Sequence, residues 1–148
     1  LRVSFEGDRQ WDDASSFIAG LGEQAQQTFW GDLGCEVVRA DGQKAVISLK
    51  AEQRHLNLLG IVHGGVLMSL IDNAMGLAVM LAYRDQKTVT ANMNTHFLEN
   101  TKKGTLYCEG SIMHRIGRTI TLQASVTNEE GRLIAWGSGA YRIVTRTG

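Results

Sequence analysis

The feature that most restricts what this 148-residue chain can become is the run from Val66 to Ala82, in which almost every residue is apolar. The exceptions, Ser69, Asp72, Asn73 and Gly76, fall at i, i+3, i+4 and i+7, so a helix gathers them into one narrow polar stripe. A helix apolar around most of its circumference has to be covered on several sides, which a single-sided surface helix does not need. Asp72 and Asn73 interrupt the run near its middle, where a bilayer would make them costly, so the run is not read as a membrane span. The remaining chain has to supply a wrapper.

That wrapper reads as β-structure. CEVVRA (35–40) and KAVISLKA (44–51) are short β-branched runs joined through Asp41-Gly42, a dipeptide whose tolerance of positive φ suits a hairpin turn. After the helix, TVTANMNTHF alternates, with Val89, Ala91, Met93 and Phe97 on one face and Thr90, Asn92, Asn94 and His96 on the other, as in a half-buried strand. TLYCEGSIM, TITLQASVTN and LIAWGSGAYRIV follow as strands, the last two joined through Asn128-Glu129-Glu130-Gly131. Upstream, residues 12–30 have amphipathic helical spacing, with Asp12 and Asp13 as capping candidates, Phe17, Leu21 and Ala25 on one face, and Gly31 and Gly34 as breakers. Residues 51–62 read as a loop. The order α, β, β, α and four further strands, with short turns, predicts a single α+β domain in which the long helix packs across an antiparallel sheet.

Charge excludes some partners. Fifteen basic and fifteen acidic residues cancel, so no summed positive field favours nucleic acid or an anionic membrane surface. The two cysteines, Cys35 and Cys108, lie far apart in strand-like segments, unlike an oxidised scaffold, which predicts a reducing cytoplasm. Residues 1–11 are expected to be a flexible extension; they lack a secretory apolar run, and the Leu1 start suggests processing or an imposed boundary.

The helix start carries the first chemical signal. Gly64 and Gly65 open a helix whose first amides have no internal partner, and without Cβ atoms they let a ligand oxygen approach the backbone. Such an end suits negative charge developing on a bound oxygen, as on a carbonyl under attack; the alternative is that the glycines only permit close packing. Asp72, in an otherwise apolar helix, is costly to bury unless it is paired or functional. A lone carboxylate can act as general base or as nucleophile wherever the leaving group needs little protonation, as a thiol with a pKa of about 8.5 would. Gly64 and Asp72 are eight residues apart, about 12 Å along a helix axis. To act on one carbonyl they have to come from two chains.

The segment Asn57-Leu-Leu-Gly-Ile-Val-His63-Gly64-Gly65, followed by Val-Leu-Met-Ser-Leu-Ile-Asp72-Asn73-Ala-Met-Gly76, resembles the signature of phenylacetyl-CoA and medium-chain acyl-CoA thioesterases, which have the hotdog fold. The likeness runs in order through roughly residues 28–145, taking in TVTANMNTHFL and the later turn HRIGRTI. It implies an acyl-CoA thioesterase with Asp72 and Gly64 at the reaction centre, on different subunits of a homodimer or homotetramer. By position, Asn57 and His63 resemble residues that hold the carbonyl or fix the loop before the helix; for His63 a purely structural bond to backbone is the competing reading. Thr90 matches a hydroxyl that orients water or nucleophile, although an ordinary strand threonine fits as well. Gly65 and Asn73 join the substrate-binding set. Arg115, Gly117, Arg118 and Thr119 resemble a basic turn that meets coenzyme A phosphates, the alternative being a solvated turn. The acyl pocket is expected to be lined by helix residues such as Met68, Ile71 or Met75.

Two rivals share this reading of the fold: an acyl-thioester hydratase or dehydratase, and a non-catalytic acyl-CoA sensor. No G-x-S-x-G elbow, P-loop or dinucleotide fingerprint occurs. His55, His63, His96 and His114 form no clustered ligand pattern, so neither a metal nor a cofactor is expected beyond the coenzyme A of the substrate itself.

Overall fold

The computed structural model describes residues 10–144. The elements are helix α1 (Gln10–Ala25), the short helix α2 (Phe29–Leu33), strands β1 (Cys35–Ala40) and β2 (Lys44–Ala51), a 3-10 turn at Gln53–His55, helix α3 (Gly64–Ala82), and strands β3 (Lys87–Phe97), β4 (Gly104–Ile116), β5 (Thr119–Asn128) and β6 (Leu133–Val144). The six strands form one antiparallel sheet in the order β1-β2-β4-β5-β6-β3. The α+β arrangement expected from the sequence is therefore the one observed.

The sheet curls around α3. Leu70, Ile71, Ala74, Met75, Ala78 and Val79 of the helix are fully buried against Ile47, Leu49, Leu106, Ile120, Leu122 and Val126 of the strands. By length and hydropathy α3 would also suit a membrane, but here it is the core helix that the sheet covers. Close approach depends on glycine: a Cβ on Gly110 of β4 would lie 2.7 Å from the backbone carbon of Ala74, and one on Gly137 of β6 2.8 Å from the carbonyl oxygen of Asn94. Neither place has room for a side chain.

Several local expectations need correcting. The stretch read as one helix from 12 to 30 is two, separated by a turn at residues 26–28, and Asp12 and Asp13 lie inside α1 rather than before it. Of the expected extension, residues 10 and 11 belong to α1, and residues 1–9 lie outside the described residues, as does the side chain of Phe17. The β1–β2 turn is held by the Asp41 carboxylate, which accepts from the amides of Gln43 and Lys44 at 2.8 and 2.9 Å, and Gly42 does not adopt positive φ. In β3, the pairing with β6 slips between Thr90 and Asn92, so Ala91 is a bulge residue. Beyond the bulge the faces exchange: Thr90 and Met93, expected on opposite faces, both point toward α3, while Val89 and Phe97 are about half exposed.

Candidate active site

The polar stripe of α3 is the floor of a cavity. Ser69 returns its hydroxyl to the Gly65 carbonyl at 2.7 Å, but Asp72, Asn73 and Gly76 face a space of about 420 Å³. The other side of that space is built by α1 and α2, through Leu21, Gly22, Ala25 and Trp30. Of the residues expected to line an acyl pocket, none lines this cavity. Ile71 and Met75 are fully buried against Gly137 and Gly139 of β6, and Met68, 41% exposed, lies outside the cavity wall, whereas Leu77 and Met80 contribute to it. A helix that is apolar nearly all round gives no sequence signal as to which apolar side meets the sheet.

Asp72 is held by two hydroxyls. Thr90 donates to its Oδ1 at 2.8 Å, and Tyr141 donates to the same oxygen in a very short contact, while also lying 2.6 Å from the Asp72 backbone carbonyl. A phenol has one proton, and the charged carboxylate is the stronger acceptor. Neither hydroxyl bonds to Oδ2. Burial, and then the bond to the Asp72 carboxylate, push the Tyr141 phenol far above its ordinary value, so it remains a donor at any working pH. Tyr141 faces Thr90 directly in the β3–β6 register, and Gly76 leaves space for its hydroxyl, 3.3 Å from where a Cβ would stand. The result is a carboxylate with one oxygen clamped and the other left for the cavity.

Tyr141 is the site residue that sequence reasoning missed. A tyrosine at an inward position among Gly137, Gly139 and Ala135 needs a partner for its hydroxyl, and that was the available signal.

Asn73 also lines the cavity; its amide donates to the Cys35 thiol at 3.6 Å, a weak bond that fixes its orientation. Burial raises the Cys35 thiol to about 11, a rise that the Asn73 amide partly opposes.

At the other end of the stripe, His63 is the N-cap of α3. Its Nδ1 accepts from the Gly65 amide at 2.8 Å, which is the structural role weighed for it. The amides of Val66 and Leu67 donate to the His63 carbonyl. This leaves Gly64, among the described residues, as the first-turn amide without an acceptor, and the Gly65 amide is already occupied. Asn57 fixes the preceding loop: its Oδ1 accepts from the amides of Leu59 and Ile61, and its backbone pairs with Ile61 and Gly60.

The basic turn sits elsewhere. Gly117 and Arg118 form the two-residue β4–β5 connection, with Gly117 at φ 57°, and Thr119 pairs with Ile116 across it. Arg115 donates to the Gly117 carbonyl at 3.1 Å, and its guanidinium lies 4.6 Å from the ring centre of Tyr83, the C-cap of α3. Within one chain this turn therefore belongs to the C-terminal end of α3 and Gly64 to its N-terminal end, and Arg115, Gly117, Arg118 and Thr119 do not line the Asp72 cavity.

Comparison with known proteins agrees with this geometry. The thioesterase superfamily profile matches residues 59–135, half of the chain and the whole of α3. Acyl-coenzyme A thioesterase 13 of Mus musculus is 30% identical over 103 residues, covering 68% of this chain and 74% of the relative. A mutant of the phenylacetic acid degradation protein PaaI from Thermus thermophilus superposes with a TM-score of 0.73 at 26% identity, covering 78% of this chain and 98% of that one. The E. coli PaaI protein shares the fold, with a TM-score of 0.80 at 21% identity over 92% of this chain and 94% of its own. From the profile match, this identity and the sheet-wrapped helix together, the chain belongs to the thioesterase superfamily and has its hotdog fold.

Proposed function

We propose that this protein hydrolyses acyl-CoA thioesters, with Asp72 as general base or nucleophile and the Gly64 amide of a second copy polarising the carbonyl. The observation that carries the reading is the clamped carboxylate: two hydroxyls on Oδ1 orient Oδ2 toward a largely apolar cavity in the middle of a buried helix. The likeness to acyl-coenzyme A thioesterase 13 supports coenzyme A as the thiol half of the substrate.

Sharing the site between copies follows from the helix itself. Gly64 and Asp72 remain about 12 Å apart along α3, too far for one carbonyl to meet both. A surface for a second copy is available: β3, an eleven-residue edge strand, pairs with β6 on one side, and no described strand pairs with the other. Long exposed edges of this kind call for a partner. On this proposal the basic turn of one copy serves the coenzyme A phosphates of a site completed by another.

Release of free thiol from a panel of acyl-CoAs, compared between wild type and Asp72→Asn, tests the reaction. Turnover in the wild type that falls at least a thousandfold in the variant supports it. Water addition to an enoyl-CoA without thiol release would favour a hydratase, and binding without turnover a sensor.

A further inference from the structure

We propose that α1 is the acyl gauge of this protein: Leu21, Gly22 and Ala25 form the wall opposite Asp72, and the open space at Gly22 sets how large an apolar acyl group fits. The inference rests on the acyl-CoA reading above and adds to it the substrate class and the residues that select it. Three observations carry it. First, apart from α3, Thr90 and Tyr141, the cavity lining comes mostly from α1, with Trp30 of α2 and Val37 of β1 beside it. Second, among the described residues Asp72 is the only charged one in the cavity lining. An acyl group ending in a carboxylate would meet no counter-charge there and would face the negative Asp72. The preferred acyl groups are therefore uncharged alkyl or aryl chains. Third, Gly22 lines the cavity, yet a Cβ built on it meets nothing within 4 Å. Nothing in the packing demands a glycine at that point. A side chain there would enter open space beside the cavity, and on this proposal a larger residue takes up room that glycine leaves to the acyl group.

Ile18, buried, anchors α1 against the core and holds this wall in place. A hydrophobic pocket discriminates a single methylene by about 10- to 200-fold, so a wall residue changed by several carbons should move the chain-length profile clearly.

The test uses graded straight-chain acyl-CoAs from two to sixteen carbons, phenylacetyl-CoA, and a matched pair of hexanoyl-CoA and adipoyl-CoA. Wild type, Gly22→Leu and Leu21→Ala are compared by kcat/KM and by the binding of non-hydrolysable alkyl-CoA thioethers of the same lengths. Gly22→Leu also replaces glycine with a better helix former, so a failure to fold is not expected. The expected result is a roughly tenfold or greater loss on the longest substrates accepted by the wild type, with acetyl-CoA changed less than about threefold, and a shift toward longer chains in Leu21→Ala. Adipoyl-CoA should be at least about tenfold worse than hexanoyl-CoA in the wild type. If both variants keep the wild-type length profile, or if adipoyl-CoA equals hexanoyl-CoA, the gauge is overturned while hydrolysis stands. If no thiol is released but the thioether profile shifts as described, hydrolysis is overturned while the gauge stands. If there is neither turnover nor thioether binding, both fall.

Discussion

Tyr141→Phe removes one hydroxyl and keeps the ring, which isolates the clamp on Asp72. The phenol is mostly buried and donates to a charged oxygen, so its loss should cost about 1.5–3 kcal/mol of carboxylate orientation. At about 1.4 kcal/mol per factor of ten, that is roughly a 10- to 150-fold fall in kcat. Thr90→Val removes the other donor, but that hydroxyl is exposed, and water can take its place. Its expected loss is about two- to tenfold, from the smaller net value of an exposed hydrogen bond. Because both hydroxyls reach the same oxygen, the double variant should lose less than the product of the two single losses. Steady-state thiol release measures all four proteins. KM should stay within about twofold, since both hydroxyls are engaged with Asp72 and the phenyl ring of Tyr141 is kept. A Tyr141→Phe enzyme with wild-type kcat, or a Thr90→Val loss larger than that of Tyr141→Phe, would refute the clamp.

Three further outcomes test the fold around the site. Gly110→Ala drives a Cβ into the backbone of Ala74 and Met75 and should destabilise by at least about 2 kcal/mol, read as a lower thermal midpoint; an unchanged midpoint would mean that strand and helix are less tightly apposed. His55 is buried, with Nδ1 accepting from the Glu52 amide at 2.9 Å and Nε2 2.7 Å from the Leu33 carbonyl, so His55→Ala should cost about 2–4 kcal/mol in urea titrations, and a loss under about 1 kcal/mol would deny it that role. Burial raises Cys35 to about 11 from an ordinary 9.0, so the unfolded chain gives up this proton first; the resulting stabilisation, complete below pH 9, should be lost as pH rises toward 11, and a denaturation midpoint that climbs across that window would contradict it.

How much could be read from sequence depended on the range of the interaction involved. Local periodicity was sufficient for α3, whose stripe from Asp72 to Gly76 does mark the cavity side, and for β5 and β6, whose bounds match the runs read from residues alone. Period-two counting failed at Ala91, because a bulge adds a residue without altering composition, and every face assignment across it is shifted. Tyr141 was illegible for a different reason. Its partner Asp72 is 69 residues away and is brought to it by the β3–β6 register, which no local pattern encodes. The same applies to α1, whose amphipathic spacing announced a buried face without indicating that the face would look onto Asp72.

The shared site can be tested by co-expressing two defective subunits. Gly64→Pro deletes the free amide while keeping the helix start, since proline suits a first helical position and His63 before it is already extended, at φ −62° and ψ 137°. Asp72→Asn removes the carboxylate proposed to react. Each homo-oligomer should be inactive. In a mixed dimer with shared sites, one site carries both defects and the other carries neither, so random mixing should restore about a quarter of wild-type activity. Mixtures no more active than the two variants alone, in a preparation shown to contain mixed oligomers, would contradict a site divided between two chains.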